Sequence, residues 1–210
     1  MSGEGSLTLD RGLALLQAVA DAGGEAATIT ELAVTIGASR AAVYRLLVPL
    51  SERGLVWRDG TKVRLGVGLL RLAGQVLPQL RDAAYPVLRE LAEKVGATAH
   101  LSVAQGNQAQ AVAVVEPTST DFHVAYRVGS RHPLTAGAAG KAMAMRTSEQ
   151  GWATSSGELQ DGASGIAAPI RGVSGLRASV GVVTLEPLDA RVVGPQIVEA
   201  AAALSEVLRR

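Results

Sequence analysis

The sequence predicts an α+β chain. Helices closed by a basic hairpin occupy residues 1–66, a linker helix spans 67–80, and an antiparallel-sheet domain fills 81–210. Three observations predict it. Apolar residues up to Leu50 recur with helical spacing, Asp59-Gly60 sits between two short alternating runs, and after Gly96 the period shortens to that of strands.

The first helix runs from about Leu9 to Ala22, with Leu13, Leu16, Val19 and Ala20 on one face and Gly23-Gly24 as its stop. Thr30 is placed to cap a second helix, with Glu31 in its first turn and Leu32, Ala33 and Ile36 facing inward. Gly37 ends that helix in a left-handed turn. Ser39 caps a third helix reaching about Arg53, whose buried stripe is Val43, Leu46, Leu47 and Leu50. Pro49 removes a backbone donor inside this helix and bends it after its first turns. Ala33, Gly37 and Val43 have the spacing of a helix-turn-helix: a small residue for close approach, a glycine for the turn, a β-branched residue to lock the second helix.

Leu55 to Arg58 and Thr61 to Leu65 then form a hairpin around a type I′ Asp59-Gly60 turn, with Val63 and Leu65 on one face and Lys62 and Arg64 on the other. Helices plus basic hairpin make a winged helix-turn-helix. Charge supports this reading. The whole chain has a net charge of only +1, but residues 40–71 hold seven cations and two anions, while residues 75–210 are neutral. Ser39, Arg40, Ala41, Tyr44 and Arg45 open the third helix on the side away from its stripe. Arginine chelates guanine edges, and small or aromatic side chains touch thymine methyls. Tyr44 either does this or packs on the second helix. Arg58, Lys62 and Arg64 suit phosphates, and Arg53 faces its own helix dipole.

Val67 to Leu77 is a linker helix apolar around more than half its girth, so it needs partners on two sides, one of them the same helix of a second subunit. Pro78 is expected to break it, and Pro86 to open another helix ending at Lys94, capped by Gly96. Strands follow at Ala99–Ala104, Gln110–Val115, Phe122–Arg127, Ile166–Arg171 and Ala178–Leu185. Helices are expected at Gly137–Met145 and Asp189–Arg209, gathered on one face of the sheet.

Composition bounds the chemistry. Half the chain is apolar, enough for a core, and with 3% aromatics that core is built of Ala, Val and Leu. Cysteine is absent, which excludes disulfides and thiolate chemistry. No apolar run reaches the roughly 18 residues of a membrane span, and Met1–Asp10 lacks a signal pattern, so a soluble, cytoplasmic protein is expected. His100, His123 and His132 show no ligand spacing, and His100 and His123 read as polar-face strand residues. Gly137 to Ala142 is not a phosphate loop: two residues separate its glycines, and alanine follows Lys141. It reads as a tight strand-to-helix entry. No nucleophile elbow is present, so no catalytic residue, metal or cofactor is expected, and the chain is not read as an enzyme.

With these residues in view, the chain resembles the IclR family of bacterial transcription regulators. The likeness lies in Ile29–Ala33, Ser39–Leu47, Glu52–Val56, Val63–Gly66 and Leu69–Leu72, then in Val128–Ser130, Pro133-Leu134, Ala139–Ala142 and Ala167–Ile170. The resemblance implies operator double-stranded DNA as partner, a homodimer or homotetramer, and a GAF-like effector-binding domain that responds to a small molecule. It also implies that a ligand's carboxylate meets backbone N–H groups at Ala138, Ala139 and Gly140, with Ser155, Gly165, Val183 and Leu185 as the other pocket positions. Two departures stand out. Where the family carries a few dozen further residues, only Arg146 to Gln150 lie here, which leaves the pocket more open. A family Ser-x-Ser-Gly-Pro strand end is Val183–Pro187 here. Val183 and Leu185 cannot donate side-chain hydrogen bonds, and Gly165 adds room. The expected effector therefore has one acidic or polar end and an apolar body, as in an amino acid or aromatic acid. Two rival readings are a ligand-independent DNA-binding protein, which needs no pocket, and a hydrolase fused to a DNA-binding domain, which needs a titratable cluster.

Overall fold

A computed structural model describes residues 6–119, 124–146 and 150–209. The chain forms two compact units, residues 1–76 and 77–210.

In the first unit Ser6 caps α1 (Leu7–Asp21). Its buried stripe is Leu15 and Val19, flanked by Leu16 and Ala18, while Leu13 and Ala20 are exposed. The leucine-rich run fits two helical phases, and packing selects the other one. Thr28, not Thr30, caps α2 (Ile29–Thr35): Glu31 N–H donates to Thr28 Oγ1 at 3.2 Å, and Glu31 Oε2 accepts from Thr28 N–H at 2.8 Å. A capping box needs its acid three residues after the cap, and Glu31 satisfies that only with Thr28. These bonds hold the Glu31 carboxyl below its ordinary range. Ser39 caps α3 (Arg40–Glu52), whose Val43 and Leu47 are buried with Leu46 and Leu50 beside them. Pro49 stays inside this helix, and Arg53 closes its last turn by donating to the Pro49 carbonyl at 3.1 Å.

The hairpin consists of β2 (Val56–Asp59) and β3 (Lys62–Leu65). Asp59 pairs with Lys62, so the two-residue loop is Gly60-Thr61 rather than Asp59-Gly60. A short strand that periodicity does not reveal, β1 (Ala27–Thr28), pairs with β3 and completes a sheet of order β1-β3-β2.

The expected break at Pro78 and restart at Pro86 are replaced by one helix, α4 (Gly68–Val95). Both prolines occupy exposed positions, as do Gly74 and Asp82, whose carbonyls lose their helical donors. Leu80, Ala84, Leu88 and Leu91 are buried on the other side and offset the cost.

The second unit is a six-stranded antiparallel sheet of order β6-β5-β4-β9-β8-β7. Its strands are β4 (Thr98–Gln105), β5 (Gln108–Val115), β6 (Arg131–Pro133), β7 (Ala153–Ser156), β8 (Ser164–Ile170) and β9 (Ala178–Thr184). Of the strand expected at 122–127, Phe122 and His123 lie outside the described residues. Val124–Arg127 form no strand and are tied down by Thr98 Oγ1, which donates to the Val124 carbonyl at 2.8 Å. The helices are not gathered on one face. Leu88 and Leu91 of α4, with Val193, Ile197 and Leu204 of α6 (Ala190–Val207), share a core with Leu101, Ile166, Val180 and Val182. α5 (Gly137–Ala144) lies on the opposite face, with Ala138 and Ala142 on Ala167. Gly165–Ala168 of β8 are buried without alternation, which is the pattern of a strand covered on both sides.

Among the described residues, no group of three or more His, Cys, Asp or Glu side chains is placed to hold a metal ion. No single described helix is long and apolar enough to cross a membrane.

Candidate functional site

Two places carry the residues singled out in the sequence. In the first unit, Ser39 Oγ accepts from Ala42 N–H at 3.2 Å and fixes the start of α3. Arg40, Ala41, Tyr44 and Arg45 are all exposed over its first turns. The hairpin does not present its cations as one group. Residues paired across antiparallel strands share a face, so Arg58, opposite Val63, lies on the core-facing side, while Arg64, opposite Trp57, lies on the outer side with Lys62. The Arg58 guanidinium stands over the Tyr44 ring, 5.4 Å from its centroid. Tyr44 therefore packs on the hairpin cation rather than only on the second helix. Trp57, 55% exposed between these cations, was not marked out by sequence reasoning. Its alternation with Val56 was the available signal.

In the second unit, Ser155 pairs with Gly165 and Gly165 with Val183, so the three form one row across β7, β8 and β9. Ala138 rests on that row. A Cβ built on Gly165 would lie 3.1 Å from Ser155 Oγ and 3.5 Å from the Ala138 Cβ. Gly165 thus lets Ser155 and the helix approach, and it borders open space as well. Gly140 is likewise a packing residue, since a Cβ there would meet the Leu134 carbonyl oxygen at 2.7 Å. Ala139 is buried, and its carbonyl accepts from Ser179 Oγ at 3.1 Å. Leu185 lies past the end of β9, where Glu186 N–H bonds Thr184 Oγ1 and turns the chain; it is exposed and apart from the row.

Two hollows flank α5. One, of about 570 Å³, sets Thr154, Ser155, Ser156 and Glu158 against Ile166, Pro187, Leu188 and Ala190, and is the more polar of the two. The other, of about 720 Å³, is bounded by Leu134, Met145, Trp152 and Ala153. Lys141 lines both. It lay inside a motif already noted, but Glu158, which pairs with it, gave no local signal because the contact spans 17 residues. Residues 147–149 of the short link lie outside the described residues, while Gln150 borders the larger hollow.

His100 on β4 lies on a polar face shared with Thr98 and Ser102, but that face is buried. Ser102 Oγ lies 3.3 Å from its Nδ1, and the Tyr126 ring meets it edge-on at 5.1 Å. Burial first, and His132 second, push the His100 pKa down to about 4.

Comparison with known proteins decides what this assembly is. The model for the IclR helix-turn-helix domain matches residues 8–60, and that for the bacterial transcriptional regulator IclR C-terminal domain matches residues 77–148. The chain belongs to the IclR family. One curated IclR-family relative, the acetate operon repressor of Salmonella typhimurium, is 31% identical over 148 residues, 68% of this chain and 54% of the relative. Another, the HTH-type transcriptional regulator BhcR of Paracoccus denitrificans, is 32% identical over 148 residues, 66% and 50% of the two chains. The chain spans about half the length of the curated relatives it matches. Solved structures share the fold. A transcriptional regulator from Rhodococcus aligns over 98% of both chains at a TM-score of 0.53 and 24% identity. An IclR homologue complexed with 4-hydroxybenzoate, from Microbacterium hydrocarbonoxydans, aligns over 96% of this chain and 99% of its own at 0.54 and 21%.

Proposed function

We propose that this IclR-family chain is a cytoplasmic, sequence-specific DNA-binding regulator, controlled by a small-molecule effector and acting as a homodimer or homotetramer. The observation that carries the reading is the exposed row Arg40, Ala41, Tyr44 and Arg45 on the first turns of a capped helix, beside Lys62 and Arg64 on the outer face of a hairpin. A helix so furnished enters the major groove and reads base edges, while the hairpin cations meet phosphates. The reading assigns no catalytic residue and no cofactor.

The effector reading rests on the second unit. Lys141 stands between a more polar and a more apolar hollow, which suits a ligand with an anionic end and an aromatic or aliphatic body. The 4-hydroxybenzoate held by the Microbacterium relative has that character. Ala138, Ala139 and Gly140 then seat the helix on the row Ser155, Gly165 and Val183, of which Ser155 and Gly165 also line the smaller hollow, and Leu185 stands exposed beyond it. Selection of bound DNA from a random pool, repeated with carboxylate mixtures, tests both halves. A recurring paired half-site whose recovery changes with a carboxylate supports the reading. Recovery of random sequence refutes its DNA half, and recovery indifferent to every compound favours the ligand-independent alternative.

A further inference from the structure

The connection from β7 to β8 folds back onto the start of α5. That helix has no side-chain cap of its own, because its N-cap residue is Ala136. Its first N–H, on Gly137, donates instead to Glu158 Oε2 at 3.0 Å. The other Glu158 oxygen pairs with Lys141 Nζ, one turn further along. Leu159, itself about half exposed, lies against the same turn: a Cβ built on Gly137 would fall 2.6 Å from Leu159 Cδ1. Gly137 has φ +73°, a backbone conformation that favours glycine.

A single internal carboxylate thereby occupies the positive end of a helix dipole, a backbone donor and an ammonium group together. These are the features by which a protein binds a free carboxylate. The same two contacts, Lys141 first and the Gly137 N–H second, hold the Glu158 carboxyl below its ordinary range. The arrangement is reversible by construction. The Lys141 and Glu158 side chains are 39% and 31% exposed, so water screens the pair. The connecting segment has Gly157 near one end and Gly162 near the other, both with positive φ.

We propose that Glu158 is a built-in competitor for the effector's carboxylate: it fills the anion position at the start of α5, and an anionic effector binds by displacing it from Gly137 and Lys141. This rests on the effector reading above and adds to it a regulation of the site. The ligand exchanges one carboxylate for another, so its affinity reports a difference between the two. Its apolar body then lies toward Trp152 and Met145, on the other side of Lys141.

The test is calorimetry on the full chain with benzoate, 4-hydroxybenzoate and the uncharged 4-hydroxybenzamide. Glu158→Gln and Glu158→Ala should each bind the two carboxylates about tenfold tighter than the unaltered protein, the equivalent of one charge-assisted hydrogen bond, and the benzamide no tighter. Adding Lys141→Ala to Glu158→Ala should abolish the gain. The Gly137 amide resonance supplies a second readout: it should move on Glu158→Ala and move back when benzoate is added. Equal carboxylate affinity in all variants overturns the competitor and leaves the effector reading standing. A gain shared by the benzamide also overturns it. Failure of every protein to bind any carboxylate overturns both.

Discussion

Arg58 and Tyr44 show how much one register matters. Their contact couples the hairpin to α3, so the hairpin cations differ in what their loss should do. Lys62→Ala and Arg64→Ala should weaken binding to all DNA sequences alike and lower the salt slope by about one unit each. Arg45→Ala should instead cost roughly 1–3 kcal/mol at particular base pairs. Arg58→Ala should do both, because it also frees Tyr44. Binding titrations on cognate and random duplexes at several salt concentrations check this; equal losses on both duplexes for Arg45→Ala would remove it from the groove. A second residue-scale prediction concerns His100, held neutral by burial with its pKa near 4. Its native pKa lies below the unfolded value of 6.5, so its contribution is complete above pH 6.5. As pH falls from there toward 4 the unfolded chain takes up the proton first and stability is lost, about 3 kcal/mol in all. Denaturant titrations across that range should show the slope, and His100→Gln should flatten it.

At the scale of elements, the helix boundaries give the sharpest contrast between two neighbouring threonines. Thr28→Ala removes one half of the capping box and should cost about 1 kcal/mol, whereas Thr30→Ala should change little. Chemical denaturation of the two variants separates them. The same boundary shows what was legible in the sequence. The period of α3, the hairpin and the two central strands were read from spacing because their apolar residues follow one face. The phase of α1 was not, since Leu13, Leu15 and Leu16 satisfy two phases until packing chooses. Pro78 and Pro86 misled for a related reason: a proline's penalty is local, while the burial that outweighs it comes from Leu80, Leu88 and Leu91 meeting residues far along the chain. The exposed face of α3 was legible as a candidate site. The Lys141–Glu158 pair was not, because a contact between separate elements leaves no period.

For the molecule as a whole, the proposed dimer makes a direct demand on the first turns of α4. Leu70 is 73% exposed, and Leu72 and Val76 are exposed beside it, whereas Leu77 packs against the core of the second unit. Leu70→Asp with Leu72→Asp should therefore dissociate the dimer without disturbing either core, and operator affinity should fall with it because paired half-sites need paired reading heads. Sedimentation together with operator titration tests this; a double variant that stays dimeric and binds normally would place the subunit contact elsewhere.

Over Ala167 the contact between α5 and the sheet is one methyl group thick. Ala138 and Ala142 lie on Ala167, and a Cβ added at Gly181 would fall 2.7 Å from the Ala167 Cβ. Such a seam has no space for a larger side chain. Altering ligand preference by changing residues inside it would dismantle the layer before it altered taste. Changes of specificity, whether by drift or by engineering, are thereby confined to the periphery, to Thr135, Met145 and Trp152 around one hollow and Thr154 and Ser156 around the other. A library randomised at those five positions should yield folded proteins with shifted preferences, and one randomised at Ala138, Ala142 and Ala167 should yield mostly unfolded ones.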